Sequence, residues 1–150
     1  MTAGNHTHDR PTAIVSTVAS DSHTWNLVYL QLLLEEHGYA VTNLGACTPD
    51  DLLVRESRDR RPDVVVISTV NGHGHQDGRR VISALRGFPE LSTTPVVIGG
   101  KLGVTGGEGH RYGDELLAAG FTRVYEEGVA GPAEFSGFLS EVATMQGVPA

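Results

Sequence analysis

Asp21 and His23 stand two residues apart in the stretch ASDSHTWN, Ala19 to Asn26. An imidazole can bind a metal through one ring nitrogen while the other donates a hydrogen bond. A carboxylate that accepts this bond fixes the tautomer and makes the free nitrogen a better ligand. Plainer roles are open to the same residues: Asp21 or Ser22 capping the next helix, and His23 serving as a polar loop residue. Two further stretches, NGHGHQDG (71–78) and GGKLGVTGGEG (99–109), together hold nine of the nineteen glycines. Glycine lets the backbone approach a ligand and adopt positive φ, at an entropic cost on folding, so the two stretches read as a ligand-binding edge. The competing reading is flexible surface loops. His73 and His75 share the first stretch and His110 follows the second. Zinc accepts histidine, but a structural site takes four ligands and Cys47 is the only cysteine. These histidines therefore read as incidental loop residues, or as residues facing a ligand or a partner.

The elements that must position these residues alternate along the chain. AIVSTV (Ala13 to Val18) reads as a buried strand. Trp25 to His37 carries apolar residues at Leu27, Leu30, Leu34 and at Trp25, Val28, Leu32, the spacing of an apolar helical face that Gly38 ends. Ala40 to Leu44 is the second strand. The second helix opens with Thr48 as its cap, Pro49 at its first position and Asp50 and Asp51 against the positive end of its dipole. Asp63 to Val70 is the most hydrophobic run, as suits a central parallel strand covered on both faces. A third helix spans about Gly78 to Gly87, a fourth strand Pro95 to Gly100, a fourth helix about Arg111 to Ala119, a fifth strand Phe121 to Glu126 and a last helix Pro132 to about Thr144. The expected fold is α/β: a doubly wound, five-stranded parallel sheet, flavodoxin-like in the order 2-1-3-4-5, in one domain. Such sheets bind ligands beyond the carboxyl ends of their strands, where these candidate residues lie.

The chain has 150 residues, 39% of them hydrophobic, which suits one core. The expected organisation is a mobile tail over 1–11 and one binding domain over 12–150. A net charge of -7 argues against nucleic acid and anionic membrane as partners. Ten arginines against the single Lys101 read as a bias of composition. One cysteine, a polar start and no long apolar stretch suggest a cytosolic protein.

Asp21-Ser22-His23 resembles the D-x-H-x-x-G motif of cobalamin-binding domains. Ser68-Thr69-Val70 resembles the S-x-L element of that family, and Gly99-Gly100 its G-G element. The flanks SDSH, STVNGHG, VIGGK and GFTRVYEEG resemble the cobalamin-binding small subunits of glutamate (methylaspartate) mutases, a likeness running from about Thr12 to Val142. The resemblance implies cobalamin bound with its dimethylbenzimidazole tail displaced, His23 as the lower axial cobalt ligand and Asp21 hydrogen-bonded to it. It implies a tail slot lined by Ser68, Val70, Gly99 and Gly100, with Ser22, Thr24, Asn26 and Gly72 also against the cofactor. It implies a separate barrel-type subunit that holds most of the substrate and closes over the corrin, in a heteromer. The reaction implied is that of adenosylcobalamin, whose cobalt–carbon homolysis starts the rearrangement of glutamate to 3-methylaspartate. Two positions depart from the pattern: Asn26 stands for the motif glycine, after the bulky Trp25, and Val70 stands for the leucine.

Other readings fit less well. A corrinoid methyl carrier or cobalamin-dependent regulator would use a similar domain, but methyl carriers usually have a helical domain ahead of it. A phosphorylation receiver needs an aspartate ending the third strand, where this chain has Ser68, Thr69, Val70 and Asn71, and a lysine after the fifth. A nicotinamide or flavin site lacks its G-x-G-x-x-G after the first strand.

Overall fold

The computed structural model describes residues 10–18, 25–69, 74–100, 109–126 and 132–145, with side chains left out at 25–26, 74, 109–112, 126, 132–134 and 143–145. The elements are β1 (Thr12–Thr17), α1 (Trp25–Glu36), β2 (Ala40–Asn43), α2 (Asp50–Arg60), β3 (Val64–Thr69), α3 (Gly74–Arg86), a 3-10 turn (Pro89–Leu91), β4 (Val96–Gly100), α4 (Gly109–Ala119), β5 (Arg123–Glu126) and α5 (Pro132–Met145). The strands form one parallel sheet in the order β2-β1-β3-β4-β5. This is the expected flavodoxin-like topology.

Side chains alternate across each strand, and the two faces build two cores. Ile14, Val65, Ile67, Val96 and Ile98 pack with Leu53 of α2, Ile82 and Leu85 of α3 and Leu116 of α4. Ala13, Val15, Val64, Val66 and Val97 pack with Leu27 and Leu34 of α1 and Phe138, Leu139 and Val142 of α5. All six residues of β3 are buried, as a strand covered on both faces requires. Tyr39, fully buried, ties the second core together by donating its hydroxyl to the Leu139 carbonyl at 2.7 Å. At the start of the domain, the Pro11 carbonyl accepts from Ala40 N at 2.8 Å.

Several local expectations are corrected. Only one side of α1 faces the core: Leu27 and Leu34 are buried, whereas Val28 and Leu32 are 46% and 57% exposed. Both registers are spaced for a helix, but a helix against a sheet covers a single stripe. Gly38 ends α1 at φ +90° as expected, and the turn closes with Tyr39 N donating to the Leu34 carbonyl at 3.0 Å. Thr48 does not cap α2: the capping position is Pro49, and the Thr48 hydroxyl donates to the Gly45 carbonyl at 2.7 Å. Asp50 and Asp51 do occupy the first turn.

The largest difference concerns α3, which starts at Gly74 rather than near Gly78. Glycine costs about 1 kcal/mol relative to alanine inside a helix, so the sequence reads as loop there. Tertiary packing overrides this. A Cβ on Gly78 would sit 2.9 Å from Ile98 Cδ1 and 3.3 Å from Leu116 Cδ2, so the bare backbone lets α3 lie close to both β4 and α4. Similarly α4 begins at Gly109, two residues before the expected start, and β5 begins at Arg123, leaving Phe121 outside the strand but buried in the core.

Candidate functional site

The strand ends at the carboxyl edge of the sheet carry small and hydroxyl residues. Register pairs Thr17 with Ser68, Ser68 with Gly99, and Gly99 with Tyr125. By alternation, Thr17 continues Ala13 and Val15, Ser68 continues Val64 and Val66, and Gly99 continues Val97. The four positions therefore form one row across β1, β3, β4 and β5 on the face covered by α1 and α5. The Tyr125 ring closes its end, meeting the Phe135 ring edge-on with centroids 5.4 Å apart. Thr17 and Ser68 are each at most 3% exposed.

Of the residues expected at the site, Ser68, Gly99 and Gly100 fall in this edge, and the first two are immediate neighbours. Asp21, Ser22, His23, Thr24, Val70 and Gly72 lie outside the described residues, as does the side chain of Asn26, whose backbone belongs to the first turn of α1. Thr17 ends β1 and Trp25 opens α1, so Asp21 and His23 lie on the segment joining them. Sequence reading missed Thr17 and Tyr125. Their strand parity was legible, but the registry that sets them beside Ser68 and Gly99 was not.

The glycine pair has a reason in the sheet itself. A Cβ on Gly99 would come within 3.1 Å of the Tyr125 carbonyl oxygen. Gly100 has φ +115°, and a Cβ there would overlap the carbonyl oxygen of Thr69, its register partner, at 1.9 Å. Of the nine glycines in the two glycine-rich stretches, Gly78 lies in α3 and Gly99 and Gly100 end β4, as expected, whereas Gly74 and Gly109 belong to helices rather than loops. Glycine content at this edge thus reflects close packing of the backbone.

His75 is not a loop histidine. It is the second residue of α3, mostly buried, and its Nε2 lies 2.5 Å from Oε1 of Glu115 on α4. Neither His73 nor the side chain of His110 is among the described residues. Among those described, no three His, Cys, Asp or Glu side chains converge as a metal site. Arg80 is committed to carboxylates: it donates to Asp50 at 2.5 Å and to Asp77 at 3.0 Å, and the bond to Asp50 raises its pKa further above the ordinary guanidinium value. A cavity of about 770 Å³ opens between α2 and α3, lined by Val54, Arg55, Arg58, Ala84 and Phe88 among others. It lies across the sheet from the Thr17–Ser68–Gly99 row.

The row tests whether a flat heteroaromatic group fits. Two hydroxyls, on Thr17 and Ser68, stand side by side next to Gly99, which has no side chain, and the Tyr125 ring walls its far side; small polar residues beside an aromatic wall suit a planar, partly polar ligand lying along the sheet. The residues present fit such a group.

Comparison with known proteins bears on the same residues. The family model described as the B12 binding domain matches residues 11–127. The glutamate mutase sigma subunit of Halobacterium salinarum is 31% identical over 115 residues, 77% of this chain and 76% of that protein. The HTH-type transcriptional repressor CarA of Myxococcus xanthus is 35% identical over 91 residues, 60% of this chain but only 31% of the repressor. A solved cobalamin-binding protein from Desulfitobacterium hafniense DCB-2 superimposes with a TM-score of 0.72 at 19% identity, over 90% of this chain and 60% of that one. At that identity the likeness is one of fold. Among the described residues no helix is long and apolar enough to cross a membrane.

Proposed function

The chain belongs to the B12-binding domain family, and from that premise we propose that it is the cobalamin-carrying small subunit of an adenosylcobalamin-dependent carbon-skeleton mutase. The observation that carries the reading is the adjacency of Ser68 and Gly99 in the strand-end row, at the edge where β1 runs out towards Asp21 and His23. The sigma-subunit relatives each match about three quarters of this chain, at up to 31% identity. The name of these relatives favours glutamate as substrate, for which the resemblance implies 3-methylaspartate as product.

In this reading His23 binds cobalt through one imidazole nitrogen, and Asp21 accepts a hydrogen bond from the other, keeping the free nitrogen deprotonated and directed. Thr17, Ser68 and Gly99 form the floor of the slot for the nucleotide tail, and Tyr125 its wall. Val70, Gly72, Ser22, Thr24 and Asn26 would also lie against the cofactor in this reading. Bound adenosylcobalamin supplies the radical chemistry. The chain contributes ligation and orientation. A substrate with two carboxylates is best gripped by arginine forks. Arg80 is engaged by Asp50 and Asp77, and this reading assigns the substrate grip to a larger, barrel-type partner subunit in a cytosolic heteromer. Domain limits of 12–150, with a tail before them, are part of the same proposal.

Cobalt ligation is tested by electron paramagnetic resonance of the Co(II) form bound to protein labelled with nitrogen-15. The axial splitting should change from the three-line pattern of nitrogen-14 to a two-line pattern, and His23→Ala should abolish it. A splitting untouched by the label would remove His23 from cobalt. The isolated chain with adenosylcobalamin should turn over no glutamate until the partner subunit is added. The stretch shared with CarA supports a second reading, a regulatory or carrier module without mutase activity. Persistent inactivity with a mutase large subunit, despite tight cobalamin binding, would favour it.

A further inference from the structure

We propose that the outward face of α1 is an interface between two copies of this chain, packed antiparallel as an isologous pair. Four large hydrophobic side chains stand exposed among the described residues, and three of them share this helix: Val28, Tyr29 and Leu32, at 46%, 54% and 57% exposure. On its other side α1 packs Leu27 and Leu30 against the sheet, so its first two turns are apolar all round. Such a helix belongs in an interior, and the sheet covers one side only. Tyr29 adds a residue type suited to a contact between proteins, an aromatic ring with a polar tip. Pairing through this face is independent of cobalamin.

The charges of the helix favour a second copy and set its direction. α1 has no acidic residue in its first turn and no basic residue in its last, and it ends on Glu35 and Glu36, at the negative end of its own dipole. Both are exposed, and they continue the stripe three and four residues beyond Leu32. Within one copy this arrangement is unfavourable. Two α1 helices crossing antiparallel at the midpoint of Val28 and Leu32 reverse it. Leu32 of one copy then meets Val28 of the other. Glu35 and Glu36 arrive at the amino end of the facing α1, where first-turn N–H groups carry partial positive charge. The chain's own ends offer poor cover: the nine residues before Arg10 hold one large apolar side chain, Met1, and the five after Met145 hold one, Val148.

Three half-exposed side chains fall well short of the roughly 800 Å² that each partner buries in a standard interface. The pair is therefore weak, of micromolar affinity or lower, and forms as concentration rises.

The experiment is sedimentation equilibrium of the full chain from about 10 to about 500 µM, with circular dichroism to check that each variant is folded. Wild type should show a monomer–dimer equilibrium. Leu32→Glu should raise the dimer Kd about tenfold or more. Leu117→Glu, which changes the fourth exposed hydrophobic, on α4, should alter it less than about twofold. If Leu32→Glu does not fold, Val28→Glu carries the comparison, since glutamate suits a helix better than valine. Glu35→Gln combined with Glu36→Gln should weaken the dimer about three- to tenfold at low salt and less at high salt. An unchanged or tighter dimer in that variant would overturn the antiparallel arrangement. Equal effects of Leu32→Glu and Leu117→Glu would remove the interface from α1. A wild-type chain that stays monomeric to about 500 µM would overturn the pairing altogether. If Leu32→Glu then weakened binding to a mutase large subunit, the face would belong to that partner, and a dimer seen only after removal of residues 1–9 would assign it to the tail.

Discussion

Replacing Gly100 with alanine separates two costs that glycine avoids. The first is conformational: at φ +115° an L residue is strained, by about 1–3 kcal/mol. The second is steric, because the new Cβ would lie 1.9 Å from the Thr69 carbonyl oxygen. That oxygen is backbone in the central strand and cannot rotate away, so β4 must shift from β3, at roughly 1–3 kcal/mol more. Gly100→Ala should therefore cost about 2–6 kcal/mol, a large part of the stability of a domain this size. Gly38→Ala is the control. Gly38 also has positive φ, +90°, but a Cβ there would meet nothing within 4 Å. It should cost only the conformational part, about 1 kcal/mol. Urea unfolding followed by circular dichroism measures both, and the midpoint should fall much further for Gly100→Ala at similar slope. Equal shifts for the two variants would refute the steric argument and return Gly100 to the role of a ligand-facing glycine.

Tyr39→Phe removes the hydroxyl that donates to the Leu139 carbonyl at 2.7 Å; that carbonyl keeps its place in the ladder of α5, so the cost is the net worth of one hydrogen bond, about 0.5–1.5 kcal/mol at neutral pH. Burial, and then the charge of Asp63, push the Tyr39 phenol up from 10.0 to about 12. The stability this supplies is complete below pH 10 and lost as pH rises through the folded value near 12, so the variant should flatten the alkaline fall in urea midpoint between these limits. Asn26→Gly restores the motif glycine in the first turn of α1. If the Asn26 side chain hinders the nucleotide tail, cobalamin should bind about five- to thirty-fold more tightly, the equivalent of roughly 1–2 kcal/mol, with cobinamide unchanged. Equal gains for both ligands would show that Asn26 is not a steric plug.

The order of elements was legible because each signal was local. Asp63 to Val70 is too apolar for anything but a strand covered on both sides, and Gly38 and Pro132 punctuate helices by their own backbone preferences. Alternation of strand and helix then leaves few topologies, and the observed sheet is the expected one. Ser68 and Gly99 could also be picked out, as parts of a short pattern at strand ends. What sequence could not decide was every relation between separate segments. Period-2 alternation gives the parity of Thr17 and Tyr125, but only strand registry sets them in one row with Ser68 and Gly99. Helical spacing marks two apolar registers on α1, but only docking on the sheet chooses Leu27 and Leu34 over Val28 and Leu32. Glycine propensity places residues 74–77 in a loop, and close packing of Gly78 against Ile98 and Leu116 accompanies their helical form. His75 finds Glu115 forty residues away along the chain. Such choices depend on which surfaces meet, and that is fixed only when burial of the whole apolar surface selects one packing.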